Sequence, residues 1–372
     1  MFPLQRLFRR GRWLHMNKAR IDRFVSALRS ASLPQMLVVD PMSIYYLTGY
    51  YNAPFERFFA LYVSETRFTL ILNRLFPAPA DREIECVWYS DTDSVPDLLA
   101  TLLRRDQALG VDKDLRAKFL LPMIERRLAA SFADSSWVLD ELRGCKDAEE
   151  QALMREASRI NDEAMLRFRA LIHEGVTEKE VADQTLAIYQ ELGAEGFSFS
   201  PLIAFGPNAA DPHHSPDDTP LREGDCVLFD VGCVKNGYCS DMTRTYFYKS
   251  VSPEHRRVYE LVRAANEAAI REIRPGREIH ILDDTARGLI AEGGFVREFN
   301  HRLGHFIGLS EHEAGDVSAV NTALLRPGMV FSIEPGIYLE GDVGVRIEDL
   351  VLVTEDGCEV LNRVSKELEI LG

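Results

Sequence analysis

The feature that most constrains the fold of this chain is a pair of strand-like segments joined by the dipeptide Asn236-Gly237. Asn-Gly is the strongest short signal for a β-hairpin, because both central residues of a type I′ turn need positive φ. A two-residue turn pairs Asp230 with Thr243, and it makes Asp230 and Asp241 diagonal neighbours on one sheet face, about 7–8 Å apart. A single aspartate in a hairpin is more often a turn or solvent residue. Two converging carboxylates, however, repel each other unless a proton or a cation lies between them.

A second hairpin with two carboxylates is predicted around residues 340–342. A three-residue loop there places Glu334 directly opposite Glu348. A two-residue loop instead turns Glu348 to the other face, because a slip of one residue reverses every side chain. The sequence leaves both registers open. Bridging carboxylates together with one imidazole are the ligand set expected for a pair of hard to borderline divalent ions.

Five of the nine histidines are candidate ligands or catalytic groups in the same part of the chain. They are His213, His214, His301, His305 and His312. There is no HExxH motif, so a single-zinc site on a helix is not indicated. His305 lies between Gly304 and Gly308, which allow a close approach of the backbone to a ligand. One histidine alone is as often structural as functional, but five beside four acids favour a metal site.

The length of 372 residues predicts two domains. In the first part, apolar residues recur at helical spacing over 17–29, and residues 36–40 have the pattern of a buried strand. Further short strands are predicted at 60–63, 68–72 and 107–111. This mixture of helices and strands indicates an α/β domain.

The domain boundary is predicted at the charged stretch 143–150, which contains a glycine and precedes a long helix over about 149–173. Residues 1–15 have four arginines and no acid, and they are assigned to a basic N-terminal extension. The first domain is expected over 16–142 and the second over 143–372.

Helices of the second domain have recognisable start signals. Thr177-x-x-Glu180 is a capping box that opens a helix to about residue 192. Two more helices are predicted over 253–274 and 279–292. Two helices followed by a hairpin thus occur twice, which indicates an internal structural duplication.

Composition narrows the possible partners. The net charge is -15, from 43 Lys+Arg against 58 Asp+Glu, so most of the surface would repel nucleic acid and anionic lipid. No apolar run approaches the ~20 residues that cross a bilayer. The six cysteines form no CxxC pair, which favours free thiols over disulfides. We therefore expect a cytoplasmic protein without a nucleic-acid or membrane partner.

Seven motifs follow one another in the second half of the chain. They are Pro212-His213-His214, Asp230-Val231-Gly232, Tyr238-x-Ser240-Asp241-Met242-Thr243-Arg244-Thr245, His301-Arg302-Leu303-Gly304-His305-x-Ile307-Gly308-Leu309, His312-Glu313, Gly328-Met329-Val330-x-Ser332-Ile333-Glu334-Pro335-Gly336-Ile337-Tyr338 and Gly344-Val345-Arg346-Ile347-Glu348-Asp349. Together they resemble the pita-bread metallopeptidases, the family of creatinase, aminopeptidase P and prolidase. Within this family, the chain is most similar to Xaa-Pro dipeptidases (prolidases) and aminopeptidases P.

The resemblance implies an α+β fold. A pita-bread C-terminal catalytic domain is expected to follow a smaller α/β creatinase-type N-terminal domain. Residues 17–140 resemble the creatinase-type domain more weakly, mainly through Ser43-Ile44-Tyr45-Tyr46-Leu47-Thr48-Gly49. A homodimer is common among such relatives and is expected here.

The resemblance also implies a ligand set for two divalent metal ions. The ligands carried over by motif are Asp230, Asp241, His305, Glu334 and Glu348. Asp241 and Glu348 are expected to bridge the ions. Mn is the expected metal, with Co and Zn as alternatives that suit the same donors. Non-catalytic relatives lose these ligands, so their retention argues for an enzyme.

Four residues receive catalytic or substrate-binding roles through the same resemblance. Glu334 is expected to take a proton from the attacking water and pass it to the leaving nitrogen. His312 is expected to donate a hydrogen bond to the developing oxyanion. His213 is expected to act in catalysis and to form part of the wall around the proline ring. Arg346 suits the free carboxylate of a dipeptide, although it could equally pair with a nearby acid.

The expected reaction is hydrolysis of the Xaa-Pro peptide bond by a site with two metal ions, and dipeptides are the expected substrates. Two alternatives stay open at this point. One is an aminopeptidase P that acts on longer Xaa-Pro peptides, and the other is a non-catalytic peptide-binding relative that retains its metals. Methionine aminopeptidase is disfavoured by the N-terminal domain, and creatinase by the intact ligand set.

Overall fold

The computed structural model describes residues 16–372, so the predicted basic extension, residues 1–15, lies outside the described residues. The chain divides into two compact units, with the division between Arg143 and Gly144. The sequence-based division between residues 142 and 143 remains a prediction.

The first unit is built on one six-stranded sheet. Its helices are α1 (Lys18–Ser30), α2 (Pro41–Thr48), α3 (Val95–Leu102), α4 (Ala117–Glu125) and α5 (Ser136–Gly144). Its strands are β1 (Gln35–Val38), β2 (Ala60–Ser64), β3 (Phe68–Asn73), β4 (Glu85–Tyr89), β5 (Ala108–Val111) and β6 (Ser131–Asp134). The spatial order is β4-β3-β2-β1-β5-β6, with antiparallel pairing of β2 to both its neighbours and parallel pairing elsewhere. The predicted α/β character is confirmed.

Single residues set the ends of helices in this unit. The Asn17 side chain accepts a hydrogen bond from the Arg20 N–H at 3.1 Å, so α1 begins directly after Asn17. Helix α2 ends at Gly49, whose φ of +67° is the left-handed conformation that glycine adopts without a Cβ penalty. The motif at residues 43–49 is therefore a helix with its C-terminal cap.

Four α-helices belong to the second unit. They are α6 (Ala148–Arg169), α7 (Glu178–Glu191), α8 (Pro253–Arg271) and α9 (His280–Glu292). The predicted linker, 143–150, is too long, because Asp147 and Glu150 form a capping box that starts α6 early. Only residues 145–147 separate α5 from α6. The predicted capping box of Thr177 and Glu180 is confirmed at the start of α7.

The strands of the second unit form several small sheets. They are β7 (Gly196–Phe197), β8 (Leu202–Phe205), β9 (Cys226–Val231), β10 (Cys233–Lys235), β11 (Tyr238–Cys239), β12 (Met242–Tyr248), β13 (Gly304–Phe306), β14 (Glu313–Val317), β15 (Val330–Ile333), β16 (Gly336–Leu339), β17 (Val343–Arg346), β18 (Asp349–Val353), β19 (Cys358–Val360) and β20 (Ile370–Leu371). The two largest have the orders β20-β12-β9-β8 and β14-β13-β15-β18-β19. A buried apolar cluster lies between helices α8 and α9 and these strands.

The register predicted for the first hairpin is confirmed. Strands β9 and β12 pair Asp230 with Thr243, and the ladder continues through β10 and β11 to the turn. Asn236 and Gly237 have φ of +49° and +82°, as a type I′ turn requires. Asp241 lies between β11 and β12, two residues from Thr243.

The second hairpin adopts the three-residue alternative, and the two-residue alternative is wrong. Strands β16 and β17 pair across residues 340–342. Strands β15 and β18 continue in the same register and pair Ile333 with Asp349. Glu334 and Glu348 lie between these two ladders and therefore stand opposite each other. In both halves of the unit, two helices precede such a hairpin.

Within residues 16–372, no helix is long and apolar enough to cross a membrane.

Candidate active site and metal centre

A cavity of about 780 Å³ lies in the second unit, where the two hairpins meet. Every residue to which a role was assigned from the sequence contributes to its lining. These residues are His213, Asp230, Asp241, His305, His312, Glu334, Arg346 and Glu348. The ladder of each hairpin brings its two carboxylates together, and β13 supplies His305.

Three of the predicted metal ligands form a compact buried cluster. Donor atoms of Asp241, His305 and Glu348 all lie within 4.8 Å of one another, and each residue is less than 5% exposed. The Nε2 atom of His305 is 3.5 Å from Asp241 Oδ2 and 4.0 Å from Glu348 Oε1. Glu334 joins the cluster, with its Oε1 atom 3.7 Å from the same nitrogen. Asp230 lines the same cavity but is held by Arg346.

The unpaired oxygens of this cluster fit a cation. Within residues 16–372, Asp230 Oδ1, Asp241 Oδ1 and Glu348 Oε1 are buried and have no hydrogen-bond partner. Buried acceptors normally have a partner, and these carboxylates also face one another. Burial first, and then repulsion among the carboxylates, raises the pKa of all three groups. An oxygen-rich donor set with one imidazole therefore matches divalent metal ions.

Hydroxyl groups fix one oxygen of each glutamate. Thr243 Oγ1 donates to Glu348 Oε2 at 2.7 Å, and Ser332 Oγ donates to Glu334 Oε1 at 3.1 Å. Ser332 in turn accepts the backbone N–H of His305 at 3.0 Å. These hydrogen bonds orient the carboxylates. In Glu348 they leave the other oxygen, Oε1, for a metal ion.

Arg346 is a buried residue with three protein partners. It is 3% exposed, and its guanidinium donates to Asp230 Oδ2 at 2.6 Å, to Tyr338 Oη at 2.8 Å and to Thr243 Oγ1 at 3.1 Å. Each of its three side-chain nitrogens thus has a protein acceptor. A substrate carboxylate at Arg346, as predicted, would compete with these acceptors, and that role stays a prediction.

Tyr338 and His301 extend this network, and no role was predicted for either. The hydroxyl of Tyr338 lies 2.9 Å from His301 Nε2, and His301 Nδ1 lies 2.7 Å from the Arg302 carbonyl oxygen. Burial lowers the pKa of His301, so the ring is neutral at pH 7 and its Nδ1–H donates to that carbonyl. Burial also raises the pKa of Tyr338 to about 12, which leaves its hydroxyl to donate to His301. Both residues belong to motifs named above, at 301–309 and 328–338, but the sequence alone does not predict that they contact each other.

The two histidines with a predicted catalytic role differ in their surroundings. The ring of His312 is 55% exposed, and its centroid is 4.1 Å from that of His305. Burial, with the charges of His305 and Arg302, lowers the pKa of His312 to about 4, so its ring is neutral at pH 7. His213 is exposed at the cavity, and its backbone N–H donates to Asp211 Oδ1.

His214 instead faces a buried glutamate. Its Nε2 atom is 2.6 Å from Glu178 Oε2, and the other oxygen of Glu178 accepts the Phe205 N–H and the Asn208 side-chain amide. These contacts give His214 a structural role in the loop that carries His213.

Two asparagines hold the backbone beside the predicted ligands. Asn161 and Asn266 occupy the same position in α6 and α8, thirteen residues after the first residue of each helix. The Asn161 amide donates to the Val231 carbonyl, next to Asp230, at 2.9 Å. The Asn266 amide donates to the carbonyls that precede the two glutamates, those of Ile333 at 2.9 Å and Ile347 at 3.3 Å. The repeated helices thus support both hairpins in the same way.

Comparison with known proteins agrees with this architecture. Residues 152–355 match metallopeptidase family M24, and residues 20–145 match the Creatinase/Prolidase N-terminal domain. The solved structure of dipeptidase PepE from Mycobacterium ulcerans is 33% identical, with a TM-score of 0.89 over 95% of this chain and 97% of that chain. For the prolidase from Thermococcus sibiricus, the identity is 35% and the TM-score 0.87, over 95% and 99%. An X-Pro aminopeptidase from Thermotoga maritima MSB8 is 28% identical, with a TM-score of 0.80 over 93% and 100%.

These matches confirm the predicted fold class, a creatinase-type N-terminal domain followed by a pita-bread domain. The match to the peptidase family spans more than half of the chain and includes all eight residues singled out in the cavity. The chain therefore belongs to metallopeptidase family M24.

Proposed function

We propose that the protein hydrolyses the Xaa-Pro peptide bond of dipeptides with two divalent metal ions. The observation that carries this proposal is the convergence of four carboxylates and one imidazole on one cavity, with three buried oxygens unpaired among the described residues. The prolidase and dipeptidase relatives support the substrate class. The proposed ligands are Asp230, Asp241, His305, Glu334 and Glu348. Asp241 and Glu348 are proposed to bridge the ions.

When bound, two such ions acidify a water molecule and polarise the scissile carbonyl. The side chains of the cavity supply the remaining functions. Glu334, oriented by Ser332, accepts the proton of the attacking water and delivers it to the proline nitrogen. His312 donates a hydrogen bond to the carbonyl oxygen as negative charge develops there. His213 lies on the cavity wall with Phe199, where the two rings can enclose the proline.

Metal reconstitution tests the enzymatic proposal directly. We propose Mn²⁺ as the native ion, because oxygen-rich sites with one imidazole accept it readily. Protein stripped of metal and reloaded with Mn²⁺, Co²⁺ or Zn²⁺ should regain cleavage of an Xaa-Pro dipeptide, most with Mn²⁺. Two ions bound per chain without any cleavage would instead favour a non-catalytic peptide-binding protein.

Substrate length separates a dipeptidase from an aminopeptidase P. We expect kcat/KM for an Xaa-Pro dipeptide to exceed that for the same peptide extended by two residues. An extended peptide cleaved equally well or better would identify an aminopeptidase P, consistent with the similarity to the Thermotoga protein.

Cellular location and assembly are proposed on separate grounds. None of the six cysteines, all within residues 16–372, forms a disulfide, which supports a reducing compartment such as the cytoplasm. The homodimer is proposed from the family resemblance, and light scattering on the full chain tests it.

A further inference from the structure

Two arginines line the cavity, and among the described residues only the side chain of Arg346 has protein acceptors. Arg346 is buried, and its guanidinium already donates to Asp230. Arg302 lines the same cavity and is exposed. Within residues 16–372, its side chain makes no hydrogen bond or ion pair shorter than 4 Å. It is therefore the cavity arginine that remains available to an incoming anion.

Arg302 lies beside the proposed reaction centre. It lines the same cavity as His305 and His312 and stands three residues before His305 in the chain. The ring of His312 is in contact with His305, a predicted metal ligand. An anion bound at Arg302 would accordingly lie beside the residues that we place around the scissile bond.

The backbone that presents Arg302 is firmly held. The buried Asp283 of α9 pairs with Arg287 at 2.9 Å and accepts the Leu303 N–H at 3.1 Å. Arg287 also donates to the carbonyls of Phe299 and His301, both at 2.9 Å. The residues on either side of Arg302 are thus fixed, whereas its own side chain is open to solvent. The fixed backbone lowers part of the ordering cost of binding an anion with this side chain.

We infer that Arg302 binds a carboxylate of the substrate and so determines specificity. This inference rests on the proposed function. Five carboxylates line the cavity, namely Asp230, Asp241, Glu311, Glu334 and Glu348. An arginine that does not already serve a protein acid offers a carboxylate both a favourable charge and two hydrogen bonds. In an Xaa-Pro dipeptide the carboxylate is either the free C-terminus or an acidic side chain before proline, and a guanidinium can bind either in two hydrogen bonds.

The experiment compares the metal-loaded wild type with Arg302→Gln, Arg302→Lys and the control Arg297→Gln. Arg297 is exposed nearby and does not line the cavity. Two substrate pairs separate the carboxylate sources, Ala-Pro against Ala-Pro amide and Glu-Pro against Gln-Pro. We expect Arg302→Gln to lower kcat/KM roughly 10- to 100-fold for the substrate whose carboxylate it binds, mostly through KM. The matched neutral group should change less than about threefold, Arg302→Lys should fall between, and metal content should be unchanged.

Each outcome has a distinct meaning. A loss confined to the free acid of the first pair assigns Arg302 to the C-terminus, and a loss confined to Glu-Pro assigns it to the side chain before proline. Equal losses on charged and neutral members, or no loss at all, overturn the inference while the proposed function stands. A wild type that cleaves none of these peptides overturns the proposed function and the inference with it.

Discussion

At the scale of single residues, two adjacent imidazoles are suited to different tasks. His305 is 4% exposed and close to three carboxylates, whereas His312 is half-exposed beside it. A neutral His312 can donate one hydrogen bond without adding a positive charge next to the proposed metal ligands. The difference in burial thus agrees with the separate roles proposed for the two histidines, His305 as a ligand and His312 as a hydrogen-bond donor.

His312→Ala should preserve the metal centre and impair the chemical step. We expect two ions per chain, as in wild type, and a kcat reduced ~10²–10³-fold, the size typical of one lost oxyanion donor. Metal analysis and steady-state kinetics on an Xaa-Pro dipeptide measure both. The exposed His173 supplies the control, since His173→Ala should change neither quantity. Loss of metal from His312→Ala would instead place His312 among the ligands.

His280, which does not line the cavity, gives a prediction for the pH dependence of stability. Its ring nitrogens lie 2.7 Å from Asp284 Oδ2 and from Glu278 Oε2, and these hydrogen bonds raise its pKa. Because the folded pKa exceeds the unfolded value, the stabilisation is complete below about pH 6.5 and is lost as the pH rises through the folded pKa. The Tm difference between wild type and His280→Gln should therefore shrink from about pH 6 to about pH 9. A difference that is constant or grows over this range would contradict the assignment.

At the scale of elements, the two hairpins show when the strand register can be predicted from the sequence and when it cannot. Asn236 and Gly237 readily adopt the positive φ that a type I′ turn requires, so the sequence predicts this turn. The turn then predicts the pairing of Asp230 with Thr243. Residues 340–342 allow loops of two lengths, and only the ladder on both sides fixes Glu334 opposite Glu348. Local chemistry thus predicts a register where the turn type is unique, and tertiary pairing decides it elsewhere.

Contacts between distant segments could not be predicted from the sequence. The sequence leaves open whether Arg346 binds a substrate carboxylate or pairs with a nearby acid, because a motif shows the residue type but not its partners. Its acceptors Asp230, Thr243 and Tyr338 come from three different strands that the fold brings together. The sequence also could not predict that Arg302, among the described residues, has no protein acceptor. Only the structure shows which of the two cavity arginines is already paired.

Helix α8 should influence metal affinity through Asn266. Its amide holds the two carbonyls that precede Glu334 and Glu348, so Asn266→Ala frees the backbone of both proposed ligands. We expect the metal affinity to fall about 10- to 100-fold, as for other lost outer contacts of a metal site. Competition with a chelator measures this affinity.

The control for Asn266→Ala is Val262→Ala, a core truncation on the same helix. Val262 is fully buried and packs in the apolar cluster below the hairpins. Its truncation should lower Tm and leave the metal affinity within about threefold of wild type. Equal losses of metal affinity in both variants would show that helix stability alone, and not the amide of Asn266, accounts for the effect.

At the scale of the whole molecule, the metal centre should contribute to the stability of the second unit. The proposed ligands come from both halves of that unit, so bound ions would join the two hairpins and relieve the repulsion among buried carboxylates. A ligand that binds only the folded state at 100 times its Kd stabilises by about 2.7 kcal/mol, which corresponds to a Tm rise of roughly 5–10 °C for a unit of this size. Scanning calorimetry should show this rise when Mn²⁺ is added to the stripped chain.

Glu348→Gln keeps the side-chain shape but removes the proposed bridge, so it should show a clearly smaller rise in Tm. The control Glu355→Gln, at an exposed position, should show the full rise. An equal rise in Glu348→Gln and wild type would place the stabilising ions elsewhere in the chain.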